Sequence, residues 1–297
     1  MTKRIAIGVD VGGTKIAIAA VDVRTGNILL RDEIPTLRHE GGHQVLDRLY
    51  GLVLKTNKEL TGNGIHPVGM GIGIPELVNN SGIIKSNWNF DWSDCDIVTR
   101  LSDFGPVLLE SDARTVVLAE AAFGHGKVFP SFVFVTVGSG LSYSFCDDGK
   151  IHRGANGYAI HFASSDIMAV CKACGAQDGF NLEALACGRG LAKTYEKQTG
   201  QKIDVRDLTQ KSAGKPESRL LEQATNALSS YLGQLINIFD PHAMIIGGGL
   251  GMDPYFFKML SEKTRPFIWA PDCRSVPILS SSILKDGAAI GAATLFG

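Results

Sequence analysis

The sequence predicts an α/β protein built as two domains, and three observations carry that prediction. The chain has 297 residues, a length that suggests two domains or one large one. A unit of strand, glycine turn and strand occurs twice, over residues 5–22 and 132–145. Apolar residues recur at helical spacing between the strands, over 45–54 and 220–239, and this indicates helices that cover the sheets.

The bulk composition excludes several classes of protein. A net charge of −1 offers no basic surface for nucleic acid. No apolar run reaches membrane-spanning length, and the first strand follows the start of the chain too closely for a signal peptide. The six cysteines are few for this length, so we expect reduced thiols and a cytoplasmic protein.

The first hairpin carries the strongest local signal. An apolar run ends on Asp10, a Gly12–Thr14 turn follows, and a second apolar run starts at Ile16, which predicts a buried β-hairpin. The glycines let an anion approach the main chain, while the turn's threonine and Lys15 add a hydroxyl and a cation. Asp10 is suited to hold a metal-bound water beside that anion. An ordinary hairpin turn is the alternative interpretation.

Two further glycine turns follow strands later in the chain. Gly138–Gly140 interrupts the second hairpin, and two turns of this kind that face each other can grip one polyphosphate from both sides. Gly247–Gly249 follows a third strand and suits the flat face of a nucleoside. A Rossmann dehydrogenase is the rival interpretation, but the glycines of 247–251 fit G-x-G-x-x-G poorly and do not open the chain.

Asp112 stands where a strand over 107–111 passes into an alanine-rich helix that Gly124 closes. A carboxylate at this place stabilises the helix start by up to about 1 kcal/mol. A carboxylate that reaches a substrate hydroxyl acts instead as a general base. The residues alone leave both roles open, and one aspartate can fill both.

The glycine turns, in this order, resemble the superfamily of sugar kinases, heat-shock proteins and actin, and most of all its ROK branch of repressors and sugar kinases. The matching segments span nearly the whole chain, each weak alone and specific together: Asp10–Lys15, Ser111–Arg114 with Leu118–Glu120, Gly138–Gly140, Gly154–Gly157, Cys174–Glu183 and Asp240–Gly249. The resemblance implies a two-domain, actin-like (ribonuclease H-like) ATPase fold with the active site in the interdomain cleft. We expect an N-terminal α/β domain over 1–118, completed by a helix over 286–297, and a C-terminal α/β domain over 119–285.

The resemblance also implies the activity: ATP-dependent phosphorylation of a hydroxyl on a sugar or sugar-like polyol, whether hexose, amino sugar, ketose or cyclitol. Asp112 is then the general base, ATP and Mg²⁺ are required, and a homodimer without nucleic-acid or membrane partners is expected. The nucleotide and its phosphates are assigned to Asp10, Gly12, Gly13, Thr14, Lys15, Gly138, Ser139, Gly140, Gly247, Gly248 and Gly249. The sugar is assigned to Asn87, Asp112, His161 and Glu183.

Two positions depart from the family pattern near the sugar site. Glu76 replaces the last glycine of G-x-P-G, a change that either alters substrate preference or simply faces water. Tyr158 stands where the family has a glutamate that meets sugar hydroxyls.

The zinc signature of the family is also incomplete, because no cysteine stands near Phe180 or Asn181. His161, Cys171 and Cys174 remain as candidate ligands, and Asp178 or Cys187 is needed as a fourth. A loop without metal, held by packing, is the favoured interpretation over bound zinc.

Two further functions compete with the kinase. A sugar-responsive repressor is disfavoured, because the first phosphate turn begins too close to the start for a preceding DNA-binding segment. A catalytically degenerate protein that binds sugar or regulates without turnover is motivated by Tyr158 and the missing cysteine. The presence of Asp10, Asp112 and both phosphate turns argues against it.

Overall fold

The computed structural model describes residues 3–210, 216–283 and 286–297. The strands are β1 (Ile5–Val11), β2 (Lys15–Asp22), β3 (Asn27–Pro35), β4 (Met70–Ile74), β5 (Val107–Ser111), β6 (Ser131–Val137), β7 (Leu141–Asp147), β8 (Lys150–Ile151), β9 (Asp166–Val170), β10 (Gln177–Asn181), β11 (Ala243–Gly247) and β12 (Ile278–Ser280). The α-helices are α1 (Gly42–Gly62), α2 (Ile97–Leu101), α3 (Asp112–Phe123), α4 (Leu182–Ala186), α5 (Gly188–Thr199), α6 (Val205–Gln210), α7 (Pro216–Phe239), α8 (Pro254–Thr264) and α9 (Gly287–Ala293).

The chain divides into two compact units. Unit 1 contains Met1–Val128, Asp148–Ala159 and Ser282–Gly297, and unit 2 contains Phe129–Asp147 and Ile160–Ser281. The domain boundary expected between residues 118 and 119 lies within α3 in the structure, and all of α3 belongs to unit 1, where it packs against α9.

The sheet of unit 1 has the order β3–β2–β1–β4–β5, with β1, β4 and β5 parallel and with β2 and β3 antiparallel. The hairpin predicted over 5–22 is therefore present. Successive side chains of a strand point to opposite faces, so Ile5, Ile7 and Val9 share one core with α1. Ala6 packs on the other face, in a second core with Ala289 of α9.

Helix α9 lies against the sheet of unit 1 with almost no side chain between the two backbones. A Cβ on Gly8 of β1 would overlap the carbonyl of Ala289, and one on Gly71 of β4 would overlap the carbonyl of Ala292. A Cβ on Gly291 of α9 would likewise overlap the carbonyl of Thr115 in α3. The small-residue helix expected near residue 290 thus packs directly on β1, β4 and α3.

Residues 148–159 are tied to unit 1 by a buried ionic cluster. Arg114 is fully buried and forms an ion pair with Glu110, and its guanidinium also donates to the carbonyls of Gly157 at 2.7 Å and Val78 at 3.0 Å. Arg153 pairs with the second oxygen of Glu110. Each buried charge therefore has charged or carbonyl partners, as burial requires.

In unit 2 the main sheet has the order β12–β11–β6–β7, in which β11 is parallel to β6 and β12, and β6 and β7 form the second predicted hairpin. Helix α7 covers this sheet with one apolar face that includes Leu221, Leu228 and Leu232, all buried. Strands β9 and β10 pair as a separate antiparallel hairpin. Within the described parts of the chain, no helix combines the length and the hydropathy needed to cross a membrane.

Candidate functional site

Three carboxylates lie at one edge of the unit 1 sheet, and we call Asp10, Glu76 and Asp112 the acidic edge. Asp10 is near the end of β1, Glu76 follows β4 by two residues, and Asp112 directly follows β5. These strands are parallel and in register, with Asp10 beside Gly73 and Ile74 beside Ser111, so their carboxyl ends meet at the same place. Such an edge is where open α/β sheets carry their ligand sites.

The electrostatics of the acidic edge favour proton transfer near neutral pH. The pKa of Asp112 is raised to about 7, mainly by burial and also by the negative charges of Asp10 and Glu76, while a hydrogen bond from the amide of Ala113 opposes the rise. Burial raises the pKa of Asp10 to about 6, an effect that Lys15 opposes. A carboxylate that titrates close to the working pH is suited to act as a general base.

Asp112 is not the N-cap residue of its helix in the structure. Ser111 occupies the N-cap position of α3, without a capping hydrogen bond from its side chain, and Asp112 opens the first turn. A carboxylate in the first turn still interacts favourably with the helix dipole. The placement is therefore compatible with both roles that the sequence leaves open.

The first glycine turn is exposed at the same edge. The amide of Gly12 donates to the carbonyl of Lys15 at 2.9 Å, and the hydroxyl of Thr36 donates to the carbonyl of Gly12 at 2.7 Å. Gly13 and Thr14 are exposed. The ammonium of Lys15 lies 2.9 Å from a carboxylate oxygen of Glu33, so this cation already has an acidic partner in unit 1.

The second glycine turn is packed against helix α5 of unit 2. The amide of Gly188 donates to the carbonyl of Gly138 at 2.8 Å, and Nε of Arg189 donates to the carbonyl of Ser139 at 2.9 Å. The amide of Gly138 donates across the turn to the carbonyl of Gly140 at 3.0 Å. The carbonyls of the turn are thus directed at α5 and across the turn itself.

The third glycine turn lies beside the second one. Gly248 has a φ of +84°, and a Cβ there would lie 2.5 Å from the carbonyl oxygen of Val137, so the position favours glycine. The amides of Leu250 and Gly251 both donate to the same carbonyl, at 3.1 and 2.8 Å. Val137 ends β6, so Gly138–Gly140 and Gly247–Gly249 follow the ends of two neighbouring parallel strands.

Two of the predicted sugar residues are linked within unit 2. Nδ1 of His161 lies 3.1 Å from Oγ of Ser164, and that hydroxyl donates to Oε2 of Glu183 at 3.1 Å. Arg189 lies 3.7 Å from the other oxygen of Glu183. His161 and Glu183 therefore share one polar chain, which runs through Ser164.

Two of the candidate zinc ligands lie at the tip of the β9–β10 hairpin. Cys171 and Cys174 are exposed in the loop at the tip, whereas at the base the side-chain amide of Asn181 donates to the carbonyl of Ser164 at 3.0 Å. Five residues of strand rise about 16 Å, so the tip cysteines lie far along the hairpin from the residues that accompany His161. In the described ranges, no group of three or more histidine, cysteine or carboxylate side chains is arranged to hold a metal ion.

Neither candidate for a fourth zinc ligand joins these cysteines. Cys187 is buried at the start of α5, where its Sγ accepts a hydrogen bond from the amide of Gly190 at 3.3 Å. Asp178 is exposed on β10.

Asn87 lies in the loop that follows β4 and lines a cavity of about 1070 Å³ in unit 1. Its side chain is exposed and donates to Oγ of Ser93 at 3.3 Å. Trp88 lines the same cavity, whereas Asp112 is not among the lining residues. The structure therefore places Asn87 and the acidic edge in the same unit without bringing Asn87 and Asp112 into one cavity.

Sequence reasoning missed the structural role of Glu76. Its side chain is buried, with the residue only 3% exposed, so the interpretation that it faces water is wrong. Its carboxylate accepts hydrogen bonds from the amides of Trp88, Asn89 and Phe90. The sequence signal was an acidic residue directly after a buried, glycine-rich strand, where a charge needs partners.

Comparison with known proteins gives a consistent result. A family model described as the ROK family matches residues 6–297. The glucokinase of Thermotoga maritima is 26% identical over 99% of this chain and 98% of that protein, and the N-acetyl-D-glucosamine kinase of Pasteurella multocida is 26% identical over 97% and 98%. The crystal structure of a ROK hexokinase from Thermus thermophilus matches with a TM-score of 0.78 at 27% identity, over 98% of this chain and 97% of that one. The predicted actin-like α/β fold and the family resemblance are confirmed.

Proposed function

The chain belongs to the ROK family, and we propose that this ATP-dependent carbohydrate kinase transfers the γ-phosphate of ATP to a hydroxyl of a hexose or an amino sugar. The observation that carries the proposal is Asp112, a carboxylate with a pKa raised to about 7 at the edge where the parallel strands of unit 1 end. The glucokinase and the N-acetyl-D-glucosamine kinase among the relatives support this substrate class. A ketose or a cyclitol is the next class to test.

In the proposed reaction, the ionised Asp112 accepts the proton of the sugar hydroxyl. At the same time, the oxygen of that hydroxyl forms a bond to the γ-phosphorus of ATP. The bond from that phosphorus to the bridging oxygen breaks, and ADP leaves with the electron pair. Burial of Asp112 contributes by raising its pKa, so that it takes a proton readily near neutral pH and still begins the reaction ionised.

The phosphates are assigned to the main-chain amides of two turns, Gly12–Lys15 and Gly138–Gly140, and the nucleoside to Gly247–Gly249. Mg²⁺ arrives with ATP and supplies charge neutralisation on the phosphates. Asp10 is the residue that we assign to its water shell, because its carboxylate lies next to the first phosphate turn on β1.

A catalytically degenerate, sugar-binding protein is the alternative function. The observation in its favour is Tyr158 in place of the glutamate that family members direct at sugar hydroxyls. The presence of both Asp10 and Asp112 at one sheet edge favours the kinase.

The test is an ADP-release screen with Mg-ATP over hexoses, amino sugars, ketoses and cyclitols, with Asp112→Asn as the matched control. We expect one sugar to stimulate ADP release and to be recovered as its phosphate, with the Asn variant losing this activity. Saturable sugar binding by calorimetry, without ADP release for any acceptor, would instead establish the degenerate binding protein.

A further inference from the structure

The loop that carries Asn87 is wound around a single buried carboxylate. Oε1 of Glu76 accepts hydrogen bonds from the amide of Asn89 at 2.7 Å and from the amide of Phe90 at 3.2 Å. Oε2 accepts one from the amide of Trp88 at 3.0 Å and one from the hydroxyl of Ser86. Three successive amides thus converge on one anion.

Additional contacts close the same loop onto the end of β4. The amide of Leu77 donates to Oγ of Ser86 at 2.9 Å, and the side-chain amide of Asn89 donates to the carbonyl of Pro75 at 2.5 Å. Successive amides that point into one concavity form an anion site, and here the anion is a side chain of the protein itself. The conformation of residues 86–90 therefore depends on the charge of Glu76.

Ser86, Asn87 and Trp88 of this loop line the cavity in unit 1, and of these Asn87 and Trp88 are the exposed ones. Their side chains are exposed, whereas Glu76 is buried beneath them. Asn87 stands between Ser86 and Trp88, which both bond to Glu76, so its backbone is held on both sides.

Glu76 also acts on the second element of the proposed site. Its negative charge is one of the groups that raise the pKa of Asp112, after burial and the charge of Asp10. The same carboxylate is therefore linked to the loop that bears Asn87 and to the residue assigned as the base.

We propose that Glu76 is a positioning residue for the acceptor sugar, which it serves by fixing the loop that presents Asn87 and Trp88; this inference rests on the proposed sugar kinase activity. The carboxylate does not contact the sugar, because its two oxygens are occupied by the four donors of its own loop. Replacement of Glu76 by glycine, the residue of the family pattern, removes the anchor and does not restore a working loop.

The first test compares Glu76→Gly and Glu76→Gln with Glu59→Gln, a change of an exposed carboxylate on α1 of the same unit. For Glu76→Gly we expect kcat/KM for the sugar to fall about 100-fold, the effect of misplacing a substrate group by about 1 Å, while the KM for ATP stays within about twofold. For Glu76→Gln we expect a kcat/KM for the sugar between those of Glu76→Gly and Glu59→Gln. The amide nitrogen of glutamine replaces one of the two acceptor oxygens and opposes the amide of Trp88. This variant has the size of glutamate and keeps the test valid where the glycine variant does not fold.

The second test measures amide hydrogen exchange in the loop and the pH dependence of kcat/KM, which reports the ionisation of Asp112. We expect amide hydrogen exchange of Trp88, Asn89 and Phe90 to be faster in Glu76→Gln than in Glu59→Gln, and the acidic limb of kcat/KM to move to lower pH, because a negative charge beside Asp112 is lost. A role in stability alone would lower Tm and leave kcat/KM for the sugar unchanged.

The outcomes separate the two proposals. If the unaltered protein phosphorylates no sugar, the proposed function fails, and the exchange rates still decide whether Glu76 holds the loop. If the Glu76 variants fold, keep kcat/KM for the sugar and keep slow exchange at 88–90, the positioning role is overturned while the kinase activity stands.

Discussion

The loop after β4 in unit 1 and the β9–β10 hairpin in unit 2 both depart from the family pattern. The loop has Glu76 in place of a glycine, and the hairpin lacks a cysteine of the zinc signature, but the two segments differ in burial. In the loop, the added carboxylate of Glu76 is buried and accepts hydrogen bonds from three backbone amides. In the hairpin, Cys171 and Cys174 are exposed at the tip, and most of β9 faces solvent. One substitution is integrated into the fold, whereas the other stands on an open hairpin.

The difference predicts where the molecule is sensitive to change. A buried charge that loses its partners, or a buried amide that loses its acceptor, costs free energy that an exposed group recovers from water. We therefore expect substitutions around the acidic edge to alter activity and stability, and substitutions at the hairpin tip to alter neither.

Asp112→Asn should abolish most of the activity. The amide has nearly the shape of the carboxylate but does not accept the proton, and general-base assistance is worth about 10²–10⁴-fold. The measurement is kcat on the identified sugar, with nucleotide binding by calorimetry as the control for an intact fold. A variant that keeps near-full kcat would reduce Asp112 to a residue of the helix start.

The same variant should be more stable than the unaltered protein at alkaline pH. A raised carboxyl pKa means that the folded state prefers the protonated form, so ionisation lowers the free energy of unfolding as pH rises from the ordinary aspartate value towards about 7. We expect a higher Tm for Asp112→Asn at pH 8 and a smaller difference at pH 5. Equal Tm values at pH 8 would contradict the raised pKa.

Gly71→Ala should destabilise the protein by about 1–3 kcal/mol, the usual cost of overpacking a core. The added methyl group would overlap the carbonyl of Ala292 beneath the acidic edge. Gly51→Ala is the matched control: Gly51 is exposed in α1 with open space at its Cβ, and alanine there should stabilise the helix by about 0.5–1 kcal/mol. The measurement is the free energy of unfolding of both variants by chemical denaturation. Equal losses of this free energy in the two variants would refute the close packing of α9.

The pH profile should show an acidic limb near pH 7. Asp112 is protonated below its pKa of about 7, and the neutral acid is too weak a base to take the proton of the substrate, so kcat/KM falls about tenfold per pH unit below it. Asp10, with a pKa of about 6, is ionised before Asp112 as pH rises. A profile that is flat from pH 5 to 8 would remove Asp112 as the base.

Cys174→Ser at the hairpin tip should change neither Tm nor kcat. We expect purified protein to carry well under one zinc per chain, and EDTA to leave activity unchanged once Mg²⁺ is restored. Cys187→Ala, which removes a buried sulfur that accepts a hydrogen bond from the amide of Gly190 at the start of α5, should lower Tm. Elemental analysis that gives about one zinc per chain, lost together with Tm on chelation, would overturn this prediction.

Most of the fold was predictable because its signals are local. The two hairpins, the long helix α7 and the small-residue helix α9 follow from runs and periods in neighbouring residues, and each lies where the sequence indicated. The hairpin over 166–181 was not predicted, because β9 and β10 are short, largely exposed and show no apolar alternation.

The candidate site was predictable only in part. The glycine turns and Asp112 carry recognisable patterns, and the roles assigned to them stay predictions until the variants are made. The contact between Glu76 and the amides of 88–90 has no local signature, because it joins residues more than ten positions apart through burial alone. A single sequence does not reveal whether such a carboxylate turns inward.

The packing of α9 sets the order in which the protein is able to fold on the ribosome. Strand β1 emerges early, yet Gly8 of β1 and Gly71 of β4 have bare backbone on a face that residues 289–295 cover. Residues 129–147 and 160–281, which form unit 2, are synthesised before that cover arrives. Unit 2 therefore has all its residues first, while the nascent sheet of unit 1 waits with one apolar face open, which is the interval in which chaperones are most needed.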